Sequence, residues 1–197
     1  MTPLPAALGG KGLIVWRIET TKHLPTWQSA EGAFLFGGRW NSAGKRVIYT
    51  SIDPSTAIVE VGVHKGLNTL DGVPHTLLAI SLNINTNKPA QVHVLDPTTI
   101  PNPAWLRPGA VSTEQQKFGD SLLGQHAVVV VPSEVSSHAW NLLVNASHPS
   151  FDAGLFKLHL SERFALDARL NPPAAASAGA ASSAVPKARK ARKKPNS

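Results

Sequence analysis

At 197 residues the chain has room for one domain of ordinary size, and its 42% hydrophobic content is that of a globular protein with a real core. No apolar run approaches the roughly 20 residues that span a bilayer, and zero cysteines exclude disulfides, thiolate catalysis and cysteine zinc sites. The net charge of +7 looks like a nucleic-acid signal, but residues 187–194, KARKARKK, hold six of the 19 Lys and Arg and none of the 12 Asp and Glu, which leaves 13 against 12 elsewhere. The basicity belongs to a tail. The N-terminal MTPLPAALGGKG has no charged stretch ahead of a long apolar one, so no signal peptide is expected, and a cytoplasmic protein is.

After a loose leader over 1–11, LIVWRI from Leu13 to Ile18 predicts a buried first strand with Arg17 as its exception. Between Thr20 and Phe36 the spacing of Leu24, Trp27, Ala30 and Ala33 fits a short helix or an ordered loop. Gly37-Gly38 and a polar turn lead into a strand at Val47–Tyr49. Asp53 as cap, Pro54 at the first helical position and Gly66 as stop bound the clearest helix. It is apolar nearly all round, which predicts burial on several sides. Further strands are expected at His75–Ile84, Gln91–Leu95, Ala127–Val131, Ala139–Asn145 and Leu155–Leu160. Ser112 with Gln115 reads as a capping box for a helix over about 113–123. Between them a Pro-rich loop, 97–108, is expected to press Trp105 onto the core. Residues 171–185 are almost wholly Ala, Ser, Pro and Gly, a composition that cannot offset its ordering entropy. The predicted division is therefore a domain over 1–170 and a disordered tail over 171–197.

The chemistry concentrates in GGRWNSAGKRVIYTSIDPSTAIVEVGVH, residues 37–64. Arg39 follows two glycines, whose backbone N–H groups can approach a ligand closely, and its guanidinium can clamp phosphate oxygens with two parallel hydrogen bonds; a solvated turn also fits that pattern. Glu60 sits in an apolar helix, where a carboxylate must be paired, at a cavity or at the surface. A glutamate lining an apolar pocket is a common catalytic arrangement; a weak i,i+4 pair with His64 on an exposed face is the plainer alternative. That pair lacks the third ligand of a recognisable metal motif, so no metal is expected. Arg17 either pairs with an acid such as Glu60 or reaches a bound anion. Ser133, at a strand end, lacks the G-x-S-x-G elbow of a hydrolase nucleophile. Gly9–Gly12 is too short for a phosphate loop. Asn145 and His148 fit a pocket or a capped turn equally.

Together, WRI with Arg17, GGRWNSAGKRVIYTS, AIVEVGVH, and VVPSEV followed by WNLLVNASHP resemble the RES domain, the toxin half of RES–Xre toxin–antitoxin systems. The resemblance covers residues 13–168. It implies an α+β fold related to ADP-ribosyltransferases: a mixed, split β-sheet core with flanking helices around an NAD cleft. The implied activity is NAD degradation by cleavage of the nicotinamide–ribose bond, with water or phosphate as acceptor; some relatives modify a protein instead. The arginine, glutamate and serine that name the family fall on Arg39 or Arg17, Glu60 and Ser133. By the same resemblance Arg17 and Arg39 hold the NAD phosphates and ribose, Tyr49 stacks on nicotinamide, and Glu60 faces the reacting ribose. Ser133 is then a polar contact in the same pocket, with Asn145 a further cofactor-binding candidate, although NASHP departs from the Asn-Pro-x-His type motif that the family implies there. The implied partner is an Xre-type helix-turn-helix antitoxin that blocks the site, within an assembly that can contain several copies of the toxin. The basic tail adds a possible weak contact to nucleic acid, and no membrane is involved.

Overall fold

The computed structural model describes residues 13–84, 90–102, 104, 105, 107, 109, 111–136, 138–151 and 154–172. The leader over 1–11 and nearly all of the 171–197 tail lie outside the described residues.

Among the described residues seven strands form one mixed sheet. In chain order they are β1 (Leu13–Thr20), β2 (Val47–Ser51), β3 (His75–Leu82), β4 (Val92–Val94), β5 (Val128–Pro132), β6 (Trp140–Asn145) and β7 (Phe156–Phe164), arranged β4-β5-β6-β2-β1-β3-β7. Only β4 and β5 run parallel; every other neighbouring pair is antiparallel. β1 and β3 share a ladder from Leu13↔Leu82 to Thr20↔His75. β2 and β6 pair from Val47↔Asn145 to Ser51↔Asn141. By contrast β1 meets β2 at one residue pair, Trp16↔Ser51. The sheet is thus two halves joined at a single rung, which is the split, mixed α+β architecture expected.

Side chains alternate across the strands with period 2, and the sequence fills both faces. Val128, Val130, Leu142 and Val144 join Trp27, Leu78, Ile80 and Phe156 on one side, where Trp27 and Phe156 meet with ring centroids 5.3 Å apart. Val129, Val131 and Leu143 point the other way, to Trp40, Leu95, Trp105 and Leu123. Burial on both faces explains why the central strands read as continuous apolar runs.

Helix α1 (Glu31–Phe36) follows a 3-10 segment, Thr21–Ser29. Helix α2 (Pro54–Lys65) starts and stops where the sequence indicates: the Asp53 carboxylate accepts from the Thr56 N–H, and Gly66 at φ 83° closes the end. A short helix α3 (Leu67–Gly72) follows directly. Helix α4 (Thr113–Gln125) begins with the Ser112 hydroxyl accepting from the Gln115 N–H. One expectation about α2 fails. Val59 and Val63 are 45% and 61% exposed, so the helix is buried on one side only; its inward positions are Thr56, Ala57 and Gly62.

Candidate active site

A cavity of about 580 Å³ lies against the single-rung seam, walled by Trp16–Ile18 of β1, Tyr49–Ser51 of β2, one face of α2 and the glycine turn after α1. Its volume is that of a small-molecule site.

Glu60 reaches into this cavity from α2, with a side chain only 14% exposed. Its Oε1 accepts from the Ser133 hydroxyl at 2.8 Å and from the side-chain amide of Asn141. Its Oε2 faces His64 Nε2 at 3.4 Å. Burial pushes the carboxyl up, but the hydrogen bonds from His64, Asn141 and Ser133 more than reverse that and hold it below its ordinary range. Glu60 is therefore an anion over the physiological range. The same contact acts on the imidazole: the hydrogen bond to Glu60, aided by the nearby Glu134 charge and opposed by burial, raises His64 above its usual value.

Arg39 comes from the glycine turn. Its Nη1 donates to the Trp105 carbonyl at 2.8 Å, and its Nη2 is ion-paired with Glu134, both side chains being about nine-tenths buried. His64 Nε2 also lies 3.1 Å from Glu134 Oε1. A charged string thus runs Arg39–Glu134–His64–Glu60 along the cavity wall.

Tyr49 lines the cavity from β2, and its hydroxyl is fixed behind the wall: it donates to Asn41 Oδ1 at 2.6 Å and accepts from the Trp40 N–H at 3.3 Å. Burial drives the phenol well above its ordinary value, so it stays protonated. Asn41, fully buried, spends its amide on the Ala33 and Ser42 carbonyls. Gly38 is required here, because a Cβ at that position would collide with the Tyr49 hydroxyl. Helix α4 secures the turn from outside: Gln116 donates to the Gly38 carbonyl at 2.9 Å, and Asp120 accepts from the Ser42 N–H at 3.2 Å.

The remaining sequence candidates divide. Arg17 lies on the cavity wall but pairs with Glu19, not Glu60: its Nε and Nη2 both donate to Glu19 Oε2, at 3.0 and 2.6 Å, while Nη1 donates to the Tyr49 carbonyl at 3.0 Å. Two positions along β1 put both side chains on one face, which sequence distance to Glu60 could not compete with. Ser133 is completely buried and stands behind Glu60 rather than on the wall. Its oxygen accepts from the Val135 and Ser136 N–H groups, so its proton is directed to Glu60. Asn145 is away from the cavity: it donates to the Leu123 carbonyl at 2.8 Å and accepts from the Ser147 N–H, holding the turn after β6. His148 accepts from Ser150 in the same turn. The capped-turn alternative describes both.

Sequence reading missed Asn141, Glu134 and Ser51. Asn141 is a polar residue inside WNLLVN, the same kind of misfit that singled out Glu60. Glu134 directly follows Ser133. Glu134 also supplies the third donor that the Glu60–His64 pair lacked, with all three ligand atoms within 4.8 Å of one another. The Arg39 guanidinium on Glu134 places a fixed positive charge beside that trio, which opposes a divalent cation there.

The sequence pattern of the family described as RES domain matches residues 14–167. The chain belongs to the RES domain family. Among its relatives, a protein of Photorhabdus laumondii named Toxin Res is 28% identical over 159 residues, 80% of this chain and 97% of the relative. A Sphingobium protein named Prs ADP-ribosylating toxin is 30% identical over 162 residues, covering 79% of this chain and 94% of its own length. The fold is also similar to that of a chain in a solved structure, the MbcT–MbcA toxin–antitoxin complex of M. tuberculosis, with TM-score 0.63 at 20% identity over 78% of this chain and 85% of that one. Among the described residues no helix is long and apolar enough to cross a membrane.

Proposed function

We propose that this RES-domain protein is the toxin of a toxin–antitoxin pair and degrades NAD by cleaving the nicotinamide–ribose bond. The observation that carries the reading is Glu60, an ionised carboxylate held by two donors on one oxygen at the wall of a cavity large enough for a dinucleotide. As the bond breaks, its electron pair leaves with the nicotinamide nitrogen and positive charge develops on the ribose, which a fixed carboxylate stabilises. Water then adds to the ribose carbon and loses a proton, giving ADP-ribose and nicotinamide; phosphate as acceptor gives the 1-phosphate. Arg39 and Arg17 are the cations for the pyrophosphate, in competition with Glu134 and Glu19, and the Tyr49 ring is the aromatic face for the nicotinamide. Electrostatic stabilisation of this kind requires no metal.

The test is incubation of the purified protein with NAD, with nicotinamide release as readout and a chelator present in a parallel sample. Glu60→Gln is expected to lose about 10²–10³ in rate with an unchanged circular dichroism spectrum, and the chelator to change nothing. Full turnover in that variant sinks the assignment. Dependence on added phosphate separates phosphorolysis from hydrolysis.

A second reading keeps the site and sends ADP-ribose to a protein, favoured by the similarity to the Sphingobium protein named Prs ADP-ribosylating toxin. Labelled NAD then marks a protein in lysate; absence of label removes this reading.

The similarity to chains named Toxin Res and to a chain in a solved toxin–antitoxin complex supports an antitoxin partner; the reading takes it to be an Xre-type helix-turn-helix protein, in an assembly that can hold more than one copy of this chain. On this reading the protein acts on the NAD pool of the cytoplasm. The RES domain is assigned to residues 1–170, and residues 171–197 to an accessory tail. Any weak DNA binding is expected to vanish when the tail is deleted.

A further inference from the structure

We propose that Asn141 is a positioning residue for Glu60, dividing its carboxylate into an anchored oxygen and a working one. The inference rests on the reading that Glu60 acts on NAD. Ser51 and Asn141 are direct cross-strand partners on β2 and β6, so their side chains stand beside each other on the cavity face. The Ser51 hydroxyl donates to Asn141 Oδ1 at 2.7 Å, and Ser51 is itself buried. That contact fixes the sense of the amide: with Oδ1 turned to Ser51, Nδ2 must face Glu60. Ser133 supplies the second donor to the same oxygen, its own lone pairs already taken by the Val135 and Ser136 N–H groups.

Glu60 Oε1 therefore carries two rigidly held donors from β6 and from the end of β5. Among the described residues Oε2 meets His64, whose side chain is 55% exposed. The groups that face this carboxylate are His64 from α2, Glu134 beyond β5 through His64, and Arg39 from the glycine turn through Glu134. A ribose entering the cavity meets the oxygen that the strands leave free. Without Asn141 the carboxylate loses its orientation and one of the two strand-held donors on Oε1. Neither loss removes a contact with the substrate's phosphates or base.

The experiment uses the full chain and three variants: Asn141→Leu, which keeps the size without the donor; Asn141→Asp, which places a like charge on Oε1; and Ser51→Ala, which frees the amide to turn. Two quantities are measured, nicotinamide release with kcat and KM separated, and titration of the Glu60 carboxyl by NMR with carboxyl-labelled glutamate. For Asn141→Leu, kcat is expected to fall on the order of 10–100-fold, the size typical of a residue that orients a reacting group, with KM changed less than about threefold. The Glu60 titration moves to higher pH, furthest in Asn141→Asp and least in Ser51→Ala. An unmoved titration, an unchanged kcat, or a loss seen wholly in KM overturns the inference. If circular dichroism shows the Asn141 variants unfolded, Ser51→Ala decides by the same criteria. Absence of nicotinamide release from the unaltered protein brings down the NAD reading alone, since the titration still reports whether Asn141 holds Glu60.

Discussion

Ser133 and Glu60, 73 residues apart in sequence, are joined by a 2.8 Å hydrogen bond from a hydroxyl that no solvent reaches. The serine acts through the glutamate and on the loop behind it. Ser133→Ala leaves the Val135 and Ser136 N–H groups without their acceptor and removes one donor from a buried carboxylate. The expected loss is about 1–3 kcal/mol of stability, read as a lowered urea midpoint with an unchanged m-value. A variant as stable as the parent contradicts this assignment.

Arg39 bridges the Trp105 carbonyl and Glu134 with two different nitrogens. A lysine has one ammonium and cannot span both. Arg39→Lys is expected to raise KM for NAD about 10–100-fold, the equivalent of one charge-assisted hydrogen bond, with a smaller change in kcat. Saturation kinetics on the two proteins measure it.

The Glu60–His64 contact makes stability depend on pH in two opposite senses. Glu60 is depressed in the folded protein, so its contribution is full above the ordinary carboxylate value of about 4.3 and is lost as pH falls through the lower folded value. His64 is raised, so its contribution is full below about 6.5 and is lost as pH rises through the higher folded value. Thermal unfolding across pH should show both limbs in the parent. His64→Gln should flatten the alkaline limb and also shrink the acid one, because the hydrogen bond from His64 is the largest of those that lower Glu60.

Helix α4 lies backbone to backbone against the turn that carries Arg39. A Cβ at Gly119 would run into the Trp40 carbonyl group, and neither side is a flexible chain end that can yield. Gly119→Ala is expected to destabilise by about 1–3 kcal/mol or more. Gly124→Ala, on the same helix with nothing within 4 Å of the added atom, should be neutral or stabilise by up to about 1 kcal/mol. A pair of melting curves decides, and equal behaviour of the two variants refutes the close approach.

Local rules carried much of this fold. Asp53, Pro54 and Gly66 bounded α2 because capping and stop chemistry act within a few residues, and Ser112 set the start of α4 for the same reason. The unbroken valines of β5 announced a strand covered on both faces. What was not legible depended on register and packing between distant segments. Val59 and Val63 look outward because no described residue covers that side of α2, a fact absent from the helix's own residues. Arg17 found Glu19 through strand geometry. Asn141 entered the site because β6 pairs with β2 in one particular register; a shift by one residue would turn it to the opposite face. Glu60 was legible because a carboxylate among valines demands an explanation in any fold.

The register between β1 and β2 holds one pair, Trp16↔Ser51, and two residues along β2 the Arg17 guanidinium donates to the Tyr49 carbonyl across the same seam. A side chain thus helps to join the two strands at the cleft. Any anion that draws Arg17 toward itself withdraws that link. Occupancy of the cleft and cohesion between the two halves of the sheet therefore compete for one cation, and amide exchange along β2 becomes a gauge of whether the cleft is filled.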